Sequence, residues 1–135
     1  MDTATDGRVD LVFDTWAWIE ELDAGPHGAA ILALHQAHDV GTPHVVLAEL
    51  VYLTAHRNPG RLDDMIERVL ATSTLLETTQ DIALAAGRAR AALAHERRGI
   101  GLVDCIVLET ARAVAAPLVT GDPDLVGLEG VRSVV

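Results

Sequence analysis

VDLVFD, residues Val9 to Asp14, is an apolar run that ends in a carboxylate. Near-continuous hydrophobic character over so short a length predicts a strand at the centre of a parallel sheet, where both faces are covered, rather than at an edge. Asp14 is the anomaly. A carboxylate at the lip of a buried strand is costly to desolvate unless it is hydrogen-bonded, paired or bound to a cation. In open α/β sheets the carboxyl ends of strands are also where sites form.

Outward from that strand, the chain reads as strands separated by helices. Residues 1 to 8 are polar and expected to fray. Thr15 is placed to cap a helix through Trp18 and Leu22, which Gly25-Pro26 stops. Pro26 suits the first turn of a second helix bearing Ile31, Leu32 and Leu34 and ending at Gly41. Pro43 to Val46 reads as a short second strand or an extended lead-in to a third helix, in which Ala48 to Leu53 is apolar around Glu49. Asn58-Pro59 caps a fourth helix with Leu62, Met65, Ile66 and Val69 on one side. Thr74 to Glu77 is a third strand, Thr78 and Asp81 form a capping arrangement, and Ile82, Ala85, Ala86, Ala89 and Leu93 make a helical stripe. Gly99 to Ala111 opens as a glycine-containing loop and becomes a helix whose face Asp104, Val107, Leu108, Ala111 and Ala115 share. Leu118 to Thr120 then lead into Asp122, a second strand-to-acid junction, and Gly130 to Val135 fits a last strand.

Connections of these lengths imply parallel crossovers, which place every strand's carboxyl end on one edge of the sheet. The expected fold class is α/β, a short central parallel sheet with helices on both faces, forming one domain over residues 1–135. No apolar run is long enough to span a membrane, and the N-terminus lacks the basic and apolar regions of a signal peptide, so the expected location is cytoplasmic. A single cysteine, Cys105, allows no internal disulfide or thiolate-based metal site and is expected in packing. The six histidines read as surface or structural; His35 and His38 lack the rest of a zinc set.

The formal net charge is −10, and all basic residues other than histidine are arginine. Such a chain is a poor generic binder of nucleic acid. It is not thereby excluded as a nuclease, because divalent cations in an acidic cleft reverse the local field and arginines can supply a phosphate track. Arg88, Arg90, Arg97 and Arg98 form the most basic stretch, read either as solvated partners of the many acids or as contacts for RNA or for the tail of a protein partner.

The topology brings Asp14 and Asp122 within reach of each other, places Asp104 at a helix N-terminus facing the same crevice, and lets Glu49 reach it from the third helix. Bare carboxylates so arranged repel one another. A hard divalent ion such as Mg²⁺ or Mn²⁺ resolves that with oxygen ligands and supports in-line hydrolysis of a phosphodiester. No residue of the set is a convincing covalent nucleophile. Taken singly, each Asp also fits a turn or cap, Glu49 also fits an ion pair with Arg57 or Arg61, and Asp124 fits a turn as well as a ligand.

VFDT at Asp14, LAEL at Glu49, GLVDCIVLETA at Asp104 and LVTGDPDL at Asp122 occur in an order and spacing that resemble PIN-domain nucleases, specifically the small toxin ribonucleases of VapBC toxin–antitoxin pairs. The resemblance covers essentially the whole chain. It implies helices around a parallel sheet, Mg²⁺- or Mn²⁺-dependent endoribonuclease activity on RNA, a cognate antitoxin whose tail enters the acidic groove, and a homodimer. It assigns Asp14, Asp104 and Asp122 as metal ligands, with Glu49 completing the catalytic set directly or through water, Asp124 as a less secure contributor, and Thr15 and Thr120 steadying ligands or a water. Trp16, Leu125 and Glu109 depart from the family's usual residues without removing a ligand. The alternative reading is a PIN-fold binding or assembly protein with weak or lost cleavage. A phosphotransfer receiver is disfavoured because the chain has no lysine, and an aspartyl phosphatase because Trp16 stands where a second Asp is required.

Overall fold

The computed structural model describes residues 8–97 and 99–135. The amino-terminal segment expected to fray therefore lies outside the described residues up to position 7, and so does Arg98. The elements are β1 (Leu11–Phe13), α1 (Thr15–Leu22), α2 (Gly28–Ala37), β2 (Val40–Pro43), α3 (His44–Arg57), a 3₁₀ turn (Pro59–Arg61), α4 (Leu62–Thr72), β3 (Thr74–Leu76), α5 (Gln80–Leu93), α6 (Leu102–Ala113), β4 (Leu118–Thr120) and β5 (Val131–Ser133).

All five strands are parallel, in the order β3-β2-β1-β4-β5, and helices flank the sheet. β1 is central, as its composition predicts: Leu11, Val12 and Phe13 are all buried. The chain builds outward from β1 through β2 and β3, then crosses back to place β4 on the other side of β1. That reversal opens a crevice beyond the carboxyl ends of β1 and β4. Phe13 is in register with Val119, which sets Asp14 level with Thr120.

Several local expectations give way to packing. The second helix ends at Ala37, and Gly41 lies inside β2. A Cβ at Gly41 would stand 2.7 Å from Leu76 Cδ1, so the glycine is needed for close strand packing and is not a helix stop. The second strand is consequently Val40–Pro43, and His44 already belongs to α3. Pro26 precedes α2 by two residues instead of opening it. The cap of α5 is Thr79, whose hydroxyl accepts from Ile82 N at 3.2 Å, one residue after the Thr78 expected from sequence. Ala115 lies beyond α6 in a turn at φ 55°, while Val107, Leu108 and Ala111 keep the expected buried face. Cys105 is buried, as read.

Two polar assemblies lock the helices to the sheet. Trp18, fully buried, donates its indole N–H to Thr42 Oγ1 at 3.0 Å; Thr42 donates to Ser73 Oγ, and Ser73 to Val69 O. Each buried polar group is thereby satisfied across α1, β2 and α4. The second assembly centres on Glu21, whose carboxylate is 1 % exposed and lies 2.6 Å from His35 Nδ1 and 3.2 Å from Arg68 Nη2. His35 Nε2 stands 2.8 Å from Thr72 O, and the ring packs edge-on against Phe13 and Trp18. Both ring nitrogens face acceptors, an arrangement satisfied by the imidazolium form.

Burial pushes the His35 pKa down, but bonds to Glu21 and Thr72 and the Glu21 charge outweigh it and raise the pKa above 6.5. Burial likewise pushes Glu21 up, and His35 with Arg68 brings it below 4.5. The His35 contribution is complete below pH 6.5 and is lost as pH rises through the raised value. The Glu21 contribution is complete above pH 4.5 and is lost as pH falls through the lowered one. In urea unfolding at about pH 5.5, His35→Gln should therefore cost roughly 1.5–3 kcal/mol, the range of a charge-assisted hydrogen bond. The deficit should shrink at about pH 9, where the wild type has lost the proton. An equal deficit at both values would show that the pair is held by packing alone.

Candidate metal centre

Asp14 follows β1 directly and is the N-cap of α1: its Oδ1 accepts from Ala17 N at 2.8 Å. Thr15, expected as the cap, instead turns its hydroxyl toward α3 and donates to Glu49 Oε1 at 2.6 Å. Its position after the cap leaves the hydroxyl free to tie the start of α1 to the carboxylate of the third helix. Glu49 is half-buried, and one of the two arginines expected as a rival partner, Arg61, faces Asp23 and Leu22 O instead.

Asp104 enters from the first turn of α6. Its Oδ2 accepts the Gly101 backbone N–H at 3.1 Å, so the side chain folds back over the helix start. Asp122 and Asp124 come from the turn after β4. Thr120 Oγ1 accepts from Asp122 N at 3.0 Å, and Asp122 Oδ1 accepts from Asp124 N at 2.9 Å, so each side chain fixes the backbone two residues on. Thr120 is also hydrogen-bonded to Asp14, linking the two strand ends. Trp16 lies across this turn, close enough that a Cβ on Gly121 would stand 2.4 Å from its Cζ2, and tilts against His27.

Asp104, Asp122 and Asp124 each offer a carboxylate oxygen, and these oxygens all lie within 4.8 Å of one another. Asp14 and Glu49 stand outside that tightest group but within its field. Burial, first, raises the Asp14 pKa from 3.8 to about 7, with bonds from Thr120 and Ala17 opposing and the charges of Asp122 and Asp104 adding to the rise. Burial also raises Asp104, the Gly101 N–H opposes it, and Asp122, Glu49 and Asp124 push it further up. The four acids singled out by sequence thus share one electrostatic environment. Asp124, the less secure contributor by the resemblance, stands in the tight trio, carried there by its turn.

The donors are all carboxylate oxygens, hard ligands of the kind that Mg²⁺ and Mn²⁺ take, with no thiolate or imidazole among the trio. The residues therefore fit a hard divalent cation. A cleft of about 240 Å³ between α1, α3 and α4, floored by Ile19, Leu22, Leu50 and Met65, contains none of these carboxylates.

The family model of the PIN domain matches residues 11–130. No curated protein sequence matches the chain. Among solved structures, it is similar to DNA-bound VapBC from Salmonella typhimurium (TM-score 0.75, 21 % identity, covering 93 % of this chain and 96 % of that one). It is also similar to the sarcin-ricin loop cleaving toxin VapC20 from Mycobacterium tuberculosis (0.70, 20 %, 91 % and 99 %). A third likeness is to VapBC-5 from the same organism (0.62, 25 %, 90 % and 94 %).

Because Asp14 has a raised pKa, the folded state holds its proton more tightly than the unfolded chain. Stability from this group is highest below pH 3.8 and falls as pH rises towards about 7. Asp14→Asn keeps an oxygen for the Ala17 N–H and removes the buried charge. Without divalent ion at about pH 8 it should stabilise the protein on the order of 2–4 kcal/mol in urea unfolding, a gain that fades towards about pH 4. A variant less stable than wild type at about pH 8 would contradict the burial penalty.

Proposed function

This chain belongs to the PIN-domain family, and we propose that it is a metal-dependent endoribonuclease, the toxin of a toxin–antitoxin pair that hydrolyses RNA phosphodiester bonds. The observation that carries this reading is the convergence of Asp104, Asp122 and Asp124 within 4.8 Å, beside Asp14 at the crevice where the sheet order reverses.

In the proposed mechanism Asp14, Asp104 and Asp122 would hold Mg²⁺ or Mn²⁺, with Asp124 as a further contributor and Glu49 completing the set directly or through a water. The chemistry such an ion supplies when bound is acidification of a water for in-line attack and stabilisation of charge on the phosphoryl oxygens. Thr120 holds the Asp122 backbone and Asp14 in one arrangement, and Thr15 steadies Glu49. Asp14, with its pKa raised to about 7, would have to give up its proton to hold a cation, so binding there would strengthen as pH rises.

The partners proposed are an RNA substrate, a cognate antitoxin and a second copy of the chain as a homodimer. Toxin–antitoxin complexes among the similar solved structures support the antitoxin. No described helix is long and apolar enough to cross a membrane.

Cleavage of RNA should appear with Mn²⁺ and vanish with chelator. Asp14→Asn and Asp104→Asn should each lower the rate by at least ~100-fold, more than the loss typical of a residue that only supports a ligand. Equal activity in the wild type and both variants would sink the mechanism and expose a contaminating nuclease.

A further inference from the structure

The turn that carries Asp122 and Asp124 runs over the connection between α5 and α6, and two residues of that connection meet it. Arg97 Nη1 donates to Val126 O at 2.9 Å and Asp124 O at 3.3 Å, with Pro123 O at 3.5 Å, so one guanidinium gathers three carbonyls of a single turn. The same guanidinium packs over Gly127, which turns the chain at φ 95°: a Cβ there would lie 3.3 Å from Arg97 Nη2. Two residues on, Gly99 leaves a recess that the Asp124 carboxylate fills. A Cβ at Gly99 would stand 2.4 Å from Asp124 Oδ1 and 2.8 Å from Oδ2. Backbone and carboxylate of Asp124 are therefore both seated on the α5–α6 connection, which belongs to neither strand of the crevice.

We propose that Arg97 is a positioning residue that, with the recess at Gly99, sets Asp124 of the carboxylate cluster for a divalent cation. This rests on the metal-dependent reading above. Arg97 has no contact with the carboxylate oxygens that would bind the ion; it acts through the backbone that carries them.

The sign of the effect separates this role from plain electrostatics. A cation beside the site repels a second cation, so on charge alone removing Arg97 tightens divalent binding. Loss of the seat instead loosens it, by the 10- to 100-fold typical when a residue supporting a ligand is removed.

The test is Mn²⁺ titration of the full chain by calorimetry, with urea unfolding in parallel, for wild type, Arg97→Gln, Arg97→Lys, Gly99→Ala, Asp124→Asn and the Arg97→Gln/Asp124→Asn double variant. Arg97→Gln is expected to weaken Mn²⁺ by about tenfold or more, Arg97→Lys to recover part of that through its single ammonium, and Gly99→Ala to weaken it without touching Arg97. The Arg97→Gln loss should largely disappear once Asp124 is already Asn, because the two act through one ligand. Unchanged or tighter Mn²⁺ binding in Arg97→Gln, whatever its stability, overturns the proposal, and so does a full additional loss in the Asp124→Asn background. If Arg97→Gln does not fold, Gly99→Ala decides alone, and wild-type affinity in it overturns the proposal. A wild type that binds no Mn²⁺ overturns the metal-dependent reading itself, and this inference with it.

Discussion

Carboxylates brought together at the ends of buried strands repel one another and lose hydration, and this constraint organises the molecule. Asp14 is 6 % exposed, and its pKa near 7 measures how strongly the folded chain resists a charge there. An isolated acid in that place would remain protonated, or the strand end would open to water. Instead four of these acids are each restrained by a local donor: Ala17 N and Thr120 for Asp14, Thr15 for Glu49, Gly101 N for Asp104 and Asp124 N for Asp122. These bonds orient the side chains without neutralising them. The residual repulsion is one that a divalent cation, bound among these oxygens, could relieve.

Rigidity has to come from beneath the site. Phe13, the residue before Asp14, is wedged by Trp18 and His35, whose rings meet it edge-on at 5.7 and 5.4 Å. Trp18 is fixed through Thr42 and Ser73, and His35 through Glu21, Arg68 and Thr72. The strand end that delivers Asp14 is thus braced by buried polar chains whose members all have partners, which makes the local geometry unique as well as stable.

The fold and most of the site were legible because they follow from patterns of short range. A continuous apolar run gave β1, a helical stripe gave α4 and α6, and acids at strand ends and a helix start marked the crevice. Legibility failed where a residue's job is set by a distant neighbour. Gly41 has the look of a helix stop, but Leu76 and Val9 press on it from adjoining segments and make it a strand residue. Thr15 and Thr79 show how helix starts slip by one: the residue whose oxygen reaches the free N–H groups becomes the cap, and at α1 Asp14 does so. Arg97 had no pattern to betray it, because its acceptors are backbone carbonyls 26 to 29 residues away.

The same reasoning bears on how a chain of net charge −10 would meet an anionic polymer. The basic stretch at Arg88, Arg90, Arg97 and Arg98 reads either as solvated charge paired with the acids or as contacts for RNA or an antitoxin tail. Yet Arg97 is turned inward to the turn after β4, Arg112 donates to Glu129 O and pairs with Glu109, Arg68 is tied to Glu21, and Arg61 to Leu22 O and Asp23. These arginines act as braces within the fold, and a guanidinium already donating to its own chain has fewer donors left for phosphate. The carboxylate cluster is a further place where positive charge could be added, by a divalent cation. Under the proposed function, a cation held there would both draw a phosphate of the RNA in and activate it.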